Sequence, residues 1–262
     1  MTTILSIANQ KGGVGKTDLC VNLASFLSSM GHKTLLIDLD PQSNATDYLI
    51  EDRPNLSSAD LLLDDTLELP QTITTTEFEN LDIIPAHSSL SGAGVRLASD
   101  VDMQFKLRNK LTGLENYEYV LIDTPPTLGF LTINAFVSSD EIIIPTQSQY
   151  FAMDAIQQLI VTIKKIRSSL NPKLNIRGIC LTMYDRRTIL SRQVKEQVHN
   201  EFPGMVFDTV IPVNVRLAES PSYHKPIMHY APDSTGAAAY EKLAHEFLGL
   251  DQKIEVIQEL TQ

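Results

Sequence analysis

A doubly wound α/β fold, a mostly parallel sheet with helices on both faces, is what the 262-residue sequence predicts. Three observations lead there. Short apolar runs rich in β-branched residues alternate with stretches of helical spacing, the pattern of strands buried on both faces and joined by crossover helices. The first run leads straight into a glycine-rich turn, Lys11-Gly12-Gly13-Val14-Gly15-Lys16-Thr17. Two later runs end in aspartate, at Asp38-Leu39-Asp40 and at Asp123.

The elements follow in order. Residues 3–8, centred on Ile4-Leu5-Ser6-Ile7, predict the first strand, and 33–39 the second. Residues 47–80 are acidic and irregular in period, which predicts a mobile excursion. Strands follow at 81–85, 118–123, 141–145, 176–183 and 206–211; Ile142-Ile143-Ile144 is typical of a strand covered on both sides. Ile156, Leu159, Ile160, Ile163, Ile166 and Leu170 place a helix over 153–170, with Pro172 as a stop. Another helix covers 236–249. Residues 1–262 are expected to form a single domain, with about 250–262 as an amphipathic but acidic tail helix.

Composition excludes several classes. No apolar run approaches the roughly 20 residues of a spanning helix, and the N-terminus shows no secretion signal. Cys20 and Cys180 lack metal-site spacing and are expected as buried free thiols in a reducing cytoplasm. Net charge is −11, yet residues 160–227 carry 11 basic and 5 acidic side chains, against 8 basic and 21 acidic in residues 1–155. That asymmetry leaves two readings open: a localised anion-binding face, or charges scattered over solvated helices.

The glycine-rich turn has the residues of a phosphate-binding loop. Glycines let backbone N–H groups wrap phosphate oxygens, and the N-terminus of the next helix favours an anion. Lys16 would reach the β- and γ-phosphates, and the Thr17 hydroxyl would ligate Mg²⁺. Asn9-Gln10 stands where the usual first glycine would be, and Lys11 is a second lysine at the entrance. Asp38 and Asp40 have period-2 spacing at the C-terminal end of a strand, which predicts carboxylates pointing the same way, suited to positioning water or an outer metal shell. Tyr119-Val120-Leu121-Ile122-Asp123 is an apolar strand ending in a carboxylate of the Walker B kind, which orients the water shell of a metal. Together these make the fold P-loop NTPase-like.

With these anchors, the chain resembles the ParA/Soj branch of the deviant-Walker-A ATPases, which also include MinD-like proteins, from residue 3 to about 249. Further matching segments are Pro126-Thr127-Leu128-Gly129, Leu131-Thr132-Ile133-Asn134-Ala135 and Ile211-Pro212-Val213-Asn214-Val215-Arg216-Leu217-Ala218-Glu219-Ser220-Pro221. The last separates ParA/Soj-like proteins from MinD. The resemblance implies an ATP- and Mg²⁺-dependent homodimer in which Lys11 reaches the partner's phosphates. It implies that Asp40 helps activate the attacking water, that Asp123 and Asp38 serve the metal through water, and that Pro212 and Asn214 contact the base and ribose side. It further implies non-specific DNA binding through Arg187 and Arg216, extended by Arg186, Arg192, Lys195 and Lys225, with a ParB-like or other adaptor stimulating hydrolysis.

The expected biology is chromosome or plasmid partition in the cytoplasm, on the nucleoid. The alternatives are positioning of a protein cargo such as carboxysomes or chemoreceptor clusters, or a nucleotide-dependent scaffold. The acidic tail argues against the basic amphipathic helix with which MinD-like proteins meet a membrane. A strand beginning at residue 3 argues against a preceding helix-turn-helix. A metabolic kinase would leave Lys11 without a role, and nitrogenase-reductase-like proteins need cluster-ligating cysteines. One departure stands out: relatives usually carry Thr or Ser after Thr17, and this chain has Asp18. A carboxylate there suits the helix dipole but opposes phosphate. The expectation is weaker nucleotide binding or altered dimer formation relative to relatives with Thr, or else a side chain turned to solvent as a cap.

Overall fold

The structure, a computed structural model, describes residues 2–149 and 152–249. The expected tail at 250–262 lies outside the described residues. Eight strands form one sheet: β1 (Thr3–Ile7), β2 (Thr34–Asp38), β3 (Thr74–Thr75), β4 (Leu81–Ile84), β5 (Tyr119–Asp123), β6 (Glu141–Gln147), β7 (Asn175–Tyr184) and β8 (Val206–Pro212). Their order is β3-β4-β2-β5-β1-β6-β7-β8. Every pairing is parallel except β3 with β4. All seven strands read from the sequence are present; the two-residue β3 is too short to leave an apolar signature.

The helices are α1 (Lys16–Ser29), α2 (Asn44–Leu49), α3 (Ser58–Leu63), α4 (Leu69–Thr72), α5 (Ala93–Arg96), α6 (Lys106–Leu111), α7 (Phe130–Ser138), α8 (Ala152–Ser169), α9 (Ile189–Glu201), α10 (Val215–Glu219), α11 (Ile227–Tyr230) and α12 (Thr235–Gly249). Strand periodicity sorts the core into two layers. Leu35, Ile37, Val120, Ile122, Ile142 and Ile144 face one way, onto residues of α3, α6, α7 and α8. Leu36, Leu121 and Ile143, one residue out of phase, face α1, α2 and α12. Eleven of the 14 residues of α1 are buried, so it is enclosed by protein on most sides and shows only a weak amphipathic stripe.

The segment 47–80 corrects one expectation. It packs as α2, α3 and α4, with Tyr48, Leu49, Ala59, Leu61 and Leu62 almost fully buried. Helices of four to six residues are too short to display a period, so local capping defines them instead. Asp60 accepts the Ser57 N–H at 2.9 Å at the start of α3, and Gln71 accepts the Glu68 N–H at 2.8 Å at the start of α4.

The connectivity places the site. β1 lies between β5 and β6; β2 to β5 lie on one side of it and β6 to β8 on the other. The chain therefore switches direction across the sheet at β1, and the C-terminal end of a strand at such a point opens a crevice. The glycine-rich turn leaves β1 at that end.

Candidate phosphate-binding site

The turn at 11–15 closes onto α1 by means of two glycines in left-handed backbone conformation, Gly13 at φ 71° and Gly15 at φ 79°. A β-carbon at either position would strain the backbone whatever the space around it. Gly15 immediately precedes α1, so the first N–H groups of α1 are left facing the turn. Thr182 on β7 secures the loop by donating its hydroxyl to Val14 O at 2.8 Å. Asn9 accepts the Lys11 N–H at 3.0 Å and donates to Pro145 O on β6 at 2.7 Å. Asn9, in the pair that stands where the usual glycine would be, thus ties the loop entrance to the neighbouring strand.

The loop borders a cavity of about 460 Å³ that is also lined by Lys16, Thr17, Asp18, Asp40, Gln42, Asn44, Asp47, Tyr48, Pro126, Met183 and Pro221. Lys16 is buried, and among the described residues its Nζ reaches only Lys11 O, at 3.4 Å. Burial lowers its pKa, and the nearby Asp123 and Asp40 carboxylates raise it in part. The Thr17 hydroxyl donates to Asp123 Oδ2 at 2.7 Å, while the buried Asp123 Oδ1 accepts no protein hydrogen bond. Burial first, then the Asp38 charge, hold the Asp123 carboxyl well above the usual carboxylate range. Lys16 stands at the cavity wall with no ion pair among the described residues, and behind Thr17 the Asp123 Oδ1 has no donor.

Asp38 and Asp40 prove unlike each other. β2 ends at Asp38, and the chain turns at once: Asp38 Oδ1 accepts the Asp40 N–H at 3.0 Å, and Oδ2 accepts the Thr46 N–H at 2.9 Å and its hydroxyl at 2.7 Å. The period-2 argument fails because the strand does not continue through Asp40. Asp38 is fully buried, does not line the cavity, and holds the start of α2; burial raises its pKa to about 6. Asp40 lines the cavity and accepts the Gln42 N–H at 3.0 Å.

Asp18 is neither a solvent cap nor free. It keeps some surface toward the cavity but is otherwise enclosed by protein, and that enclosure raises its pKa to about 6. The Tyr48 hydroxyl facing it pulls the other way. Lys11 extends away from the cavity's interior and donates to Gln149 Oε1 at 2.6 Å.

The residues read as base contacts lie apart from the loop. Asn214 caps α10 by accepting the Arg216 N–H at 2.8 Å and donates to Thr235 at 2.8 Å. Pro212 lines a second groove of about 890 Å³, together with Tyr184, Thr235, Arg186, Arg187 and Lys195. Met183 lines the loop cavity and its chain neighbour Tyr184 lines this groove, so the two openings adjoin. Arg192 is exposed on α9, and Arg216 and Lys225 are exposed on the segment after β8. Arg187 forks onto Asp185, with both contacts at 2.9 Å, and Arg216 pairs with Glu219 at 2.9 Å. Sequence reasoning missed Gln149, Tyr48, Thr46 and Met183. Gln149 follows the C-terminal end of β6, where a strand-end rule would have looked; the others carry no motif.

Comparison with known proteins agrees with this geometry. A family described as an AAA domain matches residues 2–176. The sporulation initiation inhibitor protein Soj of Bacillus subtilis is 45% identical over 94% of this chain and 98% of its own. The chromosome partitioning protein ParA of Caulobacter vibrioides is 42% identical over 95% of each. Among solved structures, a cobyrinic acid a,c-diamide synthase from Mycobacterium smegmatis with bound ADP and magnesium superposes with a TM-score of 0.82 at 31% identity, covering 95% of this chain and 94% of its own. The loop, the two aspartate-ended strands and this near-full-length similarity identify the chain as a member of the ParA/Soj family of partition ATPases.

Proposed function

We propose that the chain is an ATP-driven molecular switch that dimerises with ATP bound, holds DNA without sequence preference and releases it on hydrolysis stimulated by an adaptor. The observation that supports this most is the unsatisfied charge beneath the loop: buried Lys16 and the partnerless Asp123 Oδ1, with the Thr17 hydroxyl between loop and carboxylate. These residues fit a Mg²⁺–ATP pair. Among the described residues, no cluster of three His, Cys, Asp or Glu forms a metal site, which suits a cation held by a hydroxyl, phosphates and water with carboxylates outside. Bound magnesium supplies charge neutralisation on the phosphates.

The chain's own groups do the rest. The N–H groups at the start of α1 and Lys16 would hold the phosphates, and Thr17 and, through water, Asp123 would hold the metal, with Asp38 fixing the turn that carries Asp40. Asp40, at the cavity wall, orients the attacking water. Lys11, released from Gln149, reaches a partner's phosphates and stabilises charge developing in transit. Pro212 and Asn214 lie on the base side. Arg187 and Arg216, supported by Arg186, Arg192, Lys195 and Lys225, neutralise DNA phosphates, and two subunits double the patch against the −11 charge of each chain.

The adaptor is ParB-like for a chromosome or plasmid cargo; chain and cargo act on the nucleoid, in the cytoplasm. Phosphate release tests the reading: slow turnover alone and faster turnover with DNA and adaptor support it, while no release above background under any condition contradicts it. A second reading, a nucleotide-binding scaffold with impaired hydrolysis, draws on Asp18 at the cavity wall. The same assay separates the two, since a scaffold binds ATP and releases no phosphate.

A further inference from the structure

The segment that follows β8 is stitched to the nucleotide side of the molecule. Asn22 on α1 accepts the Ile227 N–H at 2.8 Å through Oδ1 and donates through Nδ2 to Asp18 O at 2.8 Å and to the Tyr48 hydroxyl at 3.3 Å. His224 Nδ1 meets Asp47 O. At the centre, Tyr48 shares the wall of the loop cavity with Asp18, and its hydroxyl is hydrogen-bonded to Ser220 Oγ. Ser220 is fully buried, and its Oγ also lies 3.2 Å from Leu217 O, in the turn that carries Arg216 and Glu219.

Each of the two hydroxyls has one proton, so the row has two arrangements. With Tyr48 donating to Asp18, Ser220 donates to Tyr48 and the Leu217 carbonyl loses its hydroxyl donor. With Tyr48 donating to Ser220, Ser220 donates to Leu217 O and ties down the five-residue α10. A helix that short has little stability of its own, so one hydrogen bond is a large part of what holds it. The loop cavity decides which arrangement prevails, because Asp18 is part of its wall.

We propose that the Asp18–Tyr48–Ser220 row is a relay by which nucleotide in the loop cavity loosens the α10 turn and frees Arg216 from Glu219. It rests on the reading that the cavity binds a nucleoside triphosphate. Phosphate in the cavity repels the Asp18 carboxylate toward the Tyr48 hydroxyl, Tyr48 commits its proton there, and Ser220 turns away from Leu217. Nucleotide and the anion face are then coupled through a two-state element whose two states are named by their donors, as a coupling argument requires.

Hydrogen exchange of the 215–220 backbone, with and without Mg²⁺ and a non-hydrolysable ATP analogue, tests the relay without reference to DNA or turnover. One hydrogen bond predicts exchange faster by about threefold to tenfold on adding the analogue. Ser220→Ala, lacking the donor, exchanges fast already without nucleotide and does not respond. Tyr48→Phe, which leaves Ser220 with Leu217 O, stays slow with the analogue bound. The inference is overturned if the parent shows no response while calorimetry on the same sample shows the analogue bound, or if both variants respond as the parent does. No binding by calorimetry overturns the nucleotide reading as well.

Discussion

The loop cavity and the arginines proposed to meet DNA hold their charges in opposite ways. At and behind the cavity wall the charged groups are enclosed by protein and poorly matched: burial lowers the Lys16 pKa and raises those of Asp18, Asp38 and Asp123. Arg187 and Arg216 are exposed and already paired: Arg187 holds the Asp185 carboxyl below the usual carboxylate range, and the Tyr230 hydroxyl, followed by Arg216, does the same for Glu219. A buried mismatch is relieved by a ligand of fixed shape and charge, which gives affinity and geometry. Exposed, self-neutralised arginines exchange one anion for another at little gain, which gives weak, salt-sensitive and sequence-blind contact. On the proposed reading, the difference means that one subunit's cavity can bind its ligand, whereas the arginines need a second subunit's set to hold DNA.

The largest effect that tests this contrast is at Lys16. Lys16→Ala removes the buried ammonium and is expected to abolish ATP binding in calorimetry; retained affinity would break the cavity half of the comparison. Next is Arg216→Glu, which is expected to lower the affinity of the ATP-bound form for duplex DNA by more than about tenfold at moderate salt while leaving ATP binding intact. Unchanged DNA affinity would remove Arg216 from the face.

The sequence disclosed the two sites unequally for a physical reason. The loop, Asp40 and Asp123 are consecutive or strand-terminal, so a motif and a strand-end rule find them, and all line the cavity or bond to a residue that does. The parallel strands were legible because burial on both faces demands unbroken apolar runs. Asp38 misled, because its neighbour beyond the strand end obeys a turn rather than a pleat. The segment 47–80 misled too, since helices of one turn are specified by single caps. Tyr48, Ser220 and Gln149 were invisible, because their meaning lies in contacts across 172 positions in one case and 138 in another.

Smaller effects sharpen the cavity's electrostatics. Asp18→Thr removes a carboxylate from the wall and is expected to tighten ATP binding by about fivefold, the order of one charge repulsion of about 1 kcal/mol; equal affinity in titration would mean that Asp18 turns wholly onto Tyr48. The smallest effect is in the pH dependence of the nucleotide-free chain. The folded-state pKa of Asp18, about 6, lies above the ordinary 3.8, so the folded chain holds this proton more tightly. Its contribution to stability is complete below about pH 4 and is lost as pH rises to about 6. Asp18→Asn is therefore expected to melt with the parent near pH 4 and a few degrees higher at pH 7, by about 1–3 kcal/mol; identical melting at both pH values would show that the carboxyl is not held in this way.

The central claim is that the cavity commands the arginine face. The most direct measurement is the affinity for non-specific duplex DNA with Mg²⁺ and a non-hydrolysable ATP analogue against Mg²⁺–ADP, across a salt series. The account predicts tight binding only with the analogue, weakening steeply with salt and accompanied by dimer formation in sedimentation. Equal DNA affinity in the two nucleotide states, or binding insensitive to salt, would contradict it.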